Sequence, residues 1–168
     1  MNEFVSALIG IIALSTVSVD QVYVSPSGNN TDGLTWATAF HGVSDGVNAA
    51  QDNGADLWIA EGIYSIAAAK ALYSSMNIYG GFPAIVKSTA ELRDPIAYPT
   101  ILDRGILADE IFEINSLTDV KIDGLTFTTT SSAGEAAYEV EVTNGSSNIN
   151  IVNCEFTKVP DLKPAPGQ

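Results

Sequence analysis

The chain has 168 residues, enough for one domain with a sizeable core. Twenty acidic residues against seven basic ones leave a net charge of −13, which excludes a phosphate-neutralising nucleic-acid surface and docking on anionic lipid. Charged residues are few (16%) and Ser, Thr, Asn and Gly are abundant, a composition that favours turns and extended chain over helix.

The chain opens with an apolar stretch, MNEFVSALIGIIALSTVSVD. Phe4, Val5, Leu8, Ile9, Ile11, Ile12, Leu14, Val17 and Val19 dominate it, and its high β-branched content suits a buried strand as well as a buried helix. It is short of the roughly 20 apolar residues of a membrane span. It also lacks the basic start of an export signal, offering only Glu3 there. Residues 1–19 are therefore read as a separate segment that is a subunit joint, a cap or a signal.

The first strand is expected over Gln21–Val24, followed by the turn-rich loop SPSGNNTDG. Phe40, Val43, Val47 and Ala50 recur at helical spacing and predict a short amphipathic helix from about Phe40 to Asp52, with Gly54 at its end. A strand is expected over Asp56–Ala60, then a turn at Glu61-Gly62.

Beyond residue 70 the chain becomes a series of short β-branched runs separated by Asn, Gly, Ser and Asp. Three of them are alike: SSMNIYGGF (Ser74–Phe82), LTDVKIDGLTF (Leu117–Phe127) and SSNINIVNCEF (Ser147–Phe156). Val120, Ile122, Leu125 and Phe127 fall on Ile149, Ile151, Cys154 and Phe156, and Asp119 falls on Asn148. Met76, Ile78 and Gly80 take the places of Val120, Ile122 and Gly124, and IFEI and YEVEV form a weaker pair. Self-similar runs that cannot each bury their own apolar face must stack on one another, which predicts a solenoid of strands. An antiparallel sandwich is the rival architecture.

The stretch YVSPSGNNTDGLTWATAFHGVSDGVNAAQDNGADLWIAEGIYS, then MNIYGGFP and STAELRDPIAYPTILD, resembles a group of bacterial and archaeal cell-surface right-handed parallel β-helix proteins, of pectate-lyase-like fold. The resemblance covers roughly Tyr23 to Asp103. It implies an all-β fold, a right-handed parallel β-helix (β-solenoid) with one N-terminal capping helix; members of the group are commonly long, and this chain departs from them as a short β-helix over residues 20–159 with an apolar N-terminal extension. Trp36 and Phe40 would anchor the helix over the first turn of the solenoid. Gly80 and Gly81 would allow a tight turn, and Arg93 and Asp94 would pair to pin a loop. The strand-like runs stop near Phe156, and the Pro-rich tail 160–168 cannot continue a central strand.

Short solenoids expose edges that pair with other chains unless they are capped. The expectation is an extracellular, secreted or cell-surface structural protein without catalytic residues. Its partners are copies of itself, joined head-to-tail into a filament through the apolar N-terminal segment. The alternative is a secreted carbohydrate-active module, an enzyme or a glycan binder, with polysaccharide as the partner.

Catalytic candidates are scattered: Asp103, Arg104, Asp109, Glu110, Lys121 and Asp123, with Asp123 expected to face solvent and Asp103-Arg104 to form a solvated pair at a turn. None recurs so as to build a carboxylate cluster. The one histidine, His41, suits a surface or capping role. No cofactor is expected: acidic loops such as NNTDG are compatible with Ca²⁺ but lack the full ligand pattern. Asn29 and Asn144 head Asn-x-Ser/Thr sequons, candidate glycosylation sites. The lone Cys154 reads as a small buried apolar residue.

Overall fold

The computed structural model describes residues 18–85, 89–105, 110–129 and 139–158. Within them the chain forms β1 (Gln21–Val24), α1 (Val43–Asn53), β2 (Asp56–Ala60), β3 (Gly62–Ser65), β4 (Lys70–Leu72), β5 (Asn77–Phe82), β6 (Thr100–Asp103), β7 (Phe112–Asn115), β8 (Thr118–Asp123), β9 (Leu125–Thr129), β10 (Val140–Thr143), β11 (Ser147–Val152) and β12 (Glu155–Lys158). These strands make three parallel sheets, ordered β1-β2-β5-β8-β11, β10-β7-β4 and β12-β9-β6-β3. Consecutive strands from β2 onward enter different sheets, so each pairing joins segments far apart in the chain.

This topology corrects the expected short right-handed parallel β-helix. The strands are gathered into three separate parallel sheets of five, three and four strands. Between paired strands the chain spans very different lengths: Val22 lies beside Leu57, Leu57 beside Ile78, Ile78 beside Ile122, and Val120 beside Ile149. The pairing of β2 with β5 also shifts register between Trp58 and Ala60. Among the described residues the paired strands follow no repeat of constant length, because the long connections after β1 and β5 interrupt it.

The internal likenesses in the sequence do correspond to strand register. Ile149 pairs with Val120, Ile151 with Ile122, Phe156 with Phe127, and Ile78 with Ile122. Each pair sets like residues on one face, as the two-residue period of a strand requires. Asp119 and Asn148, aligned as turn formers, both take left-handed backbone (φ 57° and 51°), and the Asn148 amide donates to the Asp119 carboxylate. Asn and Asp tolerate this region because their short side chains hydrogen-bond locally.

The three sheets turn their apolar faces onto one core. Val22, Leu57, Ile78, Val120 and Ile122 enter it from the five-stranded sheet, Leu72, Phe112 and Ile114 from the three-stranded one, and Tyr64, Leu102, Leu125 and Phe127 from the third. Phe112 and Phe127 meet edge to face with ring centres 6.2 Å apart. Losing a side chain such as Phe127 to Ala would cost about 3–5 kcal/mol.

Helix α1 forms close to the predicted range, and Gly54 ends it in left-handed conformation (φ 63°). Its buried face, Val43, Val47 and Ala50, packs on the core. Gly46 lies so close to the strands that a Cβ there would stand 2.2 Å from a Val24 methyl. Gly80 and Gly81 are needed as expected: a Cβ on Gly80 would meet the Gly124 carbonyl at 2.5 Å, and Gly81 has φ 91°. Trp36 departs from expectation. It packs on Phe82 and Tyr23 in a second cluster apart from the main core, whereas Phe40 bridges to Val24 and packs against the core.

Candidate functional site

Strand β8 alternates, sending Val120 and Ile122 into the core, so Lys121 and Asp123 point to the opposite face of the five-stranded sheet. Register continues that outer file: Tyr23 lies beside Trp58, Trp58 beside Tyr79, and Tyr79 beside Asp123. Trp58 stacks on Phe82 at 4.5 Å and meets Tyr23 edge-on at 5.9 Å. An aromatic strip thus runs up to a charged node.

The node is Asp123. Its Oδ1 accepts from Arg93 Nη2 at 2.7 Å and Asn153 Nδ2 at 2.9 Å, and its Oδ2 faces Lys121 Nζ at 2.9 Å. Burial, the largest influence, favours the neutral acid. The hydrogen bonds from Lys121, Asn153 and Arg93 together outweigh it and bring the pKa down to about 2. The Asp123 hydrogen bond in turn raises the Lys121 pKa. Arg93 also donates through Nε to the Gly80 carbonyl at 2.7 Å and through Nη2 to the Asp123 carbonyl at 2.9 Å. Both cations sit over the Tyr79 ring, at 5.4 Å for Arg93 and 5.0 Å for Lys121. Gly124, with φ 74°, makes room for this: a Cβ there would lie 2.4 Å from Arg93 Nη2.

Three sequence expectations are corrected, two of them at this node. Asp123 is buried, because Arg93 and Asn153 arrive from elsewhere to cover it. Arg93 pairs with Asp123, while Asp94 accepts from the Ile96 and Ala97 amides within its own turn. Arg104 is buried where a solvated pair was expected, and Asp103 accepts from the Gly105 amide at 2.8 Å. Of the catalytic candidates among the described residues, Lys121 and Asp123 are brought together; Glu110 is half-buried and Asp109 lies outside the described residues. Chemically the node holds fixed charge. Its carboxylate and ammonium are both pushed away from neutrality, the reverse of what acid–base catalysis at neutral pH requires. Sequence reasoning misses Arg93, Tyr79 and Trp58 as members of one site; the alternation in LWIA and IYGG is the available signal for the two aromatics.

The ends of the molecule differ. At the β1 end the edge is covered: Tyr23 N–H donates to Gly33, Phe40 N–H to Tyr23 and Ser25 N–H to Phe40, and α1 packs against β1 and β2. At the opposite end β10, β11 and β12 are the outermost strands of their sheets among the described residues. Val142 (44%), Ile151 (37%), Val152 (37%) and Phe156 (51%) are exposed there, and Phe156 stacks on Phe127 at 5.0 Å. Cys154 is half-buried at the same end, where burial pushes its thiol pKa up.

Of the expected joint residues, Phe4, Val5, Leu8, Ile9, Ile11, Ile12, Leu14 and Val17 lie outside the described residues, and Val19 packs against its own chain's core. Asn29 and Asn144 are both exposed, and His41 holds the Gly28 carbonyl at 2.7 Å. Among the described residues no group of three or more His, Cys, Asp or Glu is gathered for a metal, and no helix is long and apolar enough to cross a membrane. No family model matches the chain, and neither the curated proteins nor the solved structures offer a match.

Proposed function

We propose that the protein is an extracellular, non-catalytic structural subunit whose copies join head to tail. The apolar segment 4–17 of one copy adds to the open end of the next. The observation that carries this reading is the unequal treatment of the two ends. One is sealed by α1 and the loop through Phe40, while at the other β10, β11 and β12 are the outermost strands among the described residues and Val142, Ile151, Val152 and Phe156 are exposed. Outermost parallel strands flanked by exposed apolar side chains are templates for another strand.

Chain direction and composition support this occupant. Residue 18 emerges beside β1, at the far side of the five-stranded sheet from β11. Copies stacked with the β1 end of one facing the β11 edge of another would bring residue 18, where the apolar segment joins the domain, towards that edge. The loop that hydrogen-bonds β1 stands in the way of direct sheet-to-sheet pairing, which favours a separate segment as the bridge. Such a contact joins two different surfaces and propagates unless its rotation closes a ring. A non-catalytic role is supported by the carboxylate of Asp123, which is engaged by Arg93, Asn153 and Lys121 and held in its charged form.

Light scattering and electron microscopy test the reading on three chains: full length, lacking residues 1–17, and lacking residues 159–168. Assemblies from the first and third and monomers from the second are expected. Monomers from the full-length chain, or assembly that survives loss of residues 1–17, would overturn it.

A further inference from the structure

Beyond self-association, we infer that the outer face of the five-stranded sheet carries a binding site for neutral hexose units of a glycan. A cleft of about 360 Å³ opens there, within the range of small-molecule sites. Three aromatic side chains line it, Trp58, Tyr79 and Phe82, together with two cations, Arg93 and Lys121, and two carboxylates, Asp56 and Asp123. The chemistry of this lining selects the ligand class. An anion would meet both carboxylates and a cation would meet both basic groups, so neither gains from the balanced charges. A neutral ring with many hydroxyls can donate to the acids and accept from the bases, while its C–H face lies against aromatic carbon.

The polar groups are held in place before any ligand arrives. Asp56 is fixed through Oδ1 by the Asn77 amide at 2.8 Å, and Lys121 by Asp123 at 2.9 Å. Lys121 gives one of its three hydrogens to that pair and keeps donors for a hydroxyl. Trp58 is held by stacking on Phe82 and by an edge contact with Tyr23. Preorganisation of this kind lowers the ordering cost of binding. Arg93 also lines a second, larger cleft of about 570 Å³ with Asp94, Pro95, Thr126, Asn153 and Glu155, so its guanidinium is common to the two clefts.

The test uses the full-length chain, titrated with cellohexaose and mannohexaose as neutral probes and hexagalacturonate as the acidic contrast, followed by calorimetry. At least one neutral probe binds while the acidic one does not. Lys121→Gln weakens that binding by about tenfold or more, and Trp58→Ala abolishes it. Thermal unfolding of each variant is measured in parallel; where Trp58→Ala fails to fold, Lys121→Gln and Asp56→Asn carry the test. Absence of neutral binding at millimolar ligand, tighter binding of hexagalacturonate, or folded Lys121→Gln and Asp56→Asn variants with unchanged affinity would each overturn the inference. None of these readouts depends on assembly, so they fail or succeed separately from the proposed filament.

Discussion

Replacing Asp123 by Asn keeps the shape of the node and removes its charge. The carboxylate is only 5% exposed and holds Arg93 and Lys121, and its pKa falls from an ordinary 3.8 to about 2. That difference corresponds to about 2 kcal/mol of folding free energy at neutral pH. Leaving Arg93 without its carboxylate adds to the loss, while Lys121, 37% exposed, regains water. The expected cost is therefore about 2–3 kcal/mol, a large part of the roughly 5–15 kcal/mol typical of a domain. It lowers Tm by about 5–10 °C. Because the folded-state pKa lies below the unfolded one, the contribution is present in full above about pH 4 and is lost as pH falls towards about 2. Asn does not titrate. Urea unfolding of both chains at several pH values should thus show a gap that is widest at neutral pH and narrows below about pH 4. A gap that stays constant with pH, or one below about 0.5 kcal/mol at pH 7, would refute the reasoning.

Three further outcomes are expected. Gly124→Ala should destabilise by more than the about 1–3 kcal/mol of backbone strain, because its Cβ meets Arg93 and Pro95, whereas Gly145→Ala, equally left-handed with nothing within 4 Å, costs the strain alone; equal losses in thermal unfolding would contradict this. Ile151→Lys should leave monomer stability within about 0.5 kcal/mol, since Ile151 is already 37% exposed, yet suppress assembly in light scattering. Raising NaCl from about 20 mM to about 0.5 M should strengthen assembly by screening repulsion between copies of charge −13, and assembly that weakens with salt would count against an apolar joint.

Much of the local structure was legible in the sequence. The like runs around Val120 and Ile149 found their true register because strand alternation and a left-handed Asp119 or Asn148 are both written in residue types. The helix and its Gly54 terminus were legible for the same reason. The arrangement of the strands was not. Likeness between two neighbouring segments fixes one pairing, but the division into three sheets depends on connections such as 25–42 and 83–99, whose length follows no period. The node was hidden by a related difficulty. Asp123 reads as an outward residue on β8, and only the arrival of Arg93 and Asn153 from distant segments buries it. No spacing in the sequence links Arg93 to Asp123 or to the ring of Tyr79.

The central claim is that the N-terminal segment of one copy occupies the open end of another, and the single cysteine of the chain lies at that end. A chain carrying Ile12→Cys and Cys154→Ala, mixed with the native chain under mild oxidation, tests this directly. The account predicts a disulfide between the thiol introduced at position 12 of the first and Cys154 of the second, seen as a mixed dimer. When one chain carries both thiols, repeated cross-linking into ladders is expected. Cross-linked monomers from the two-thiol chain, with no mixed dimer from the pair, would place the segment on its own domain and contradict the account.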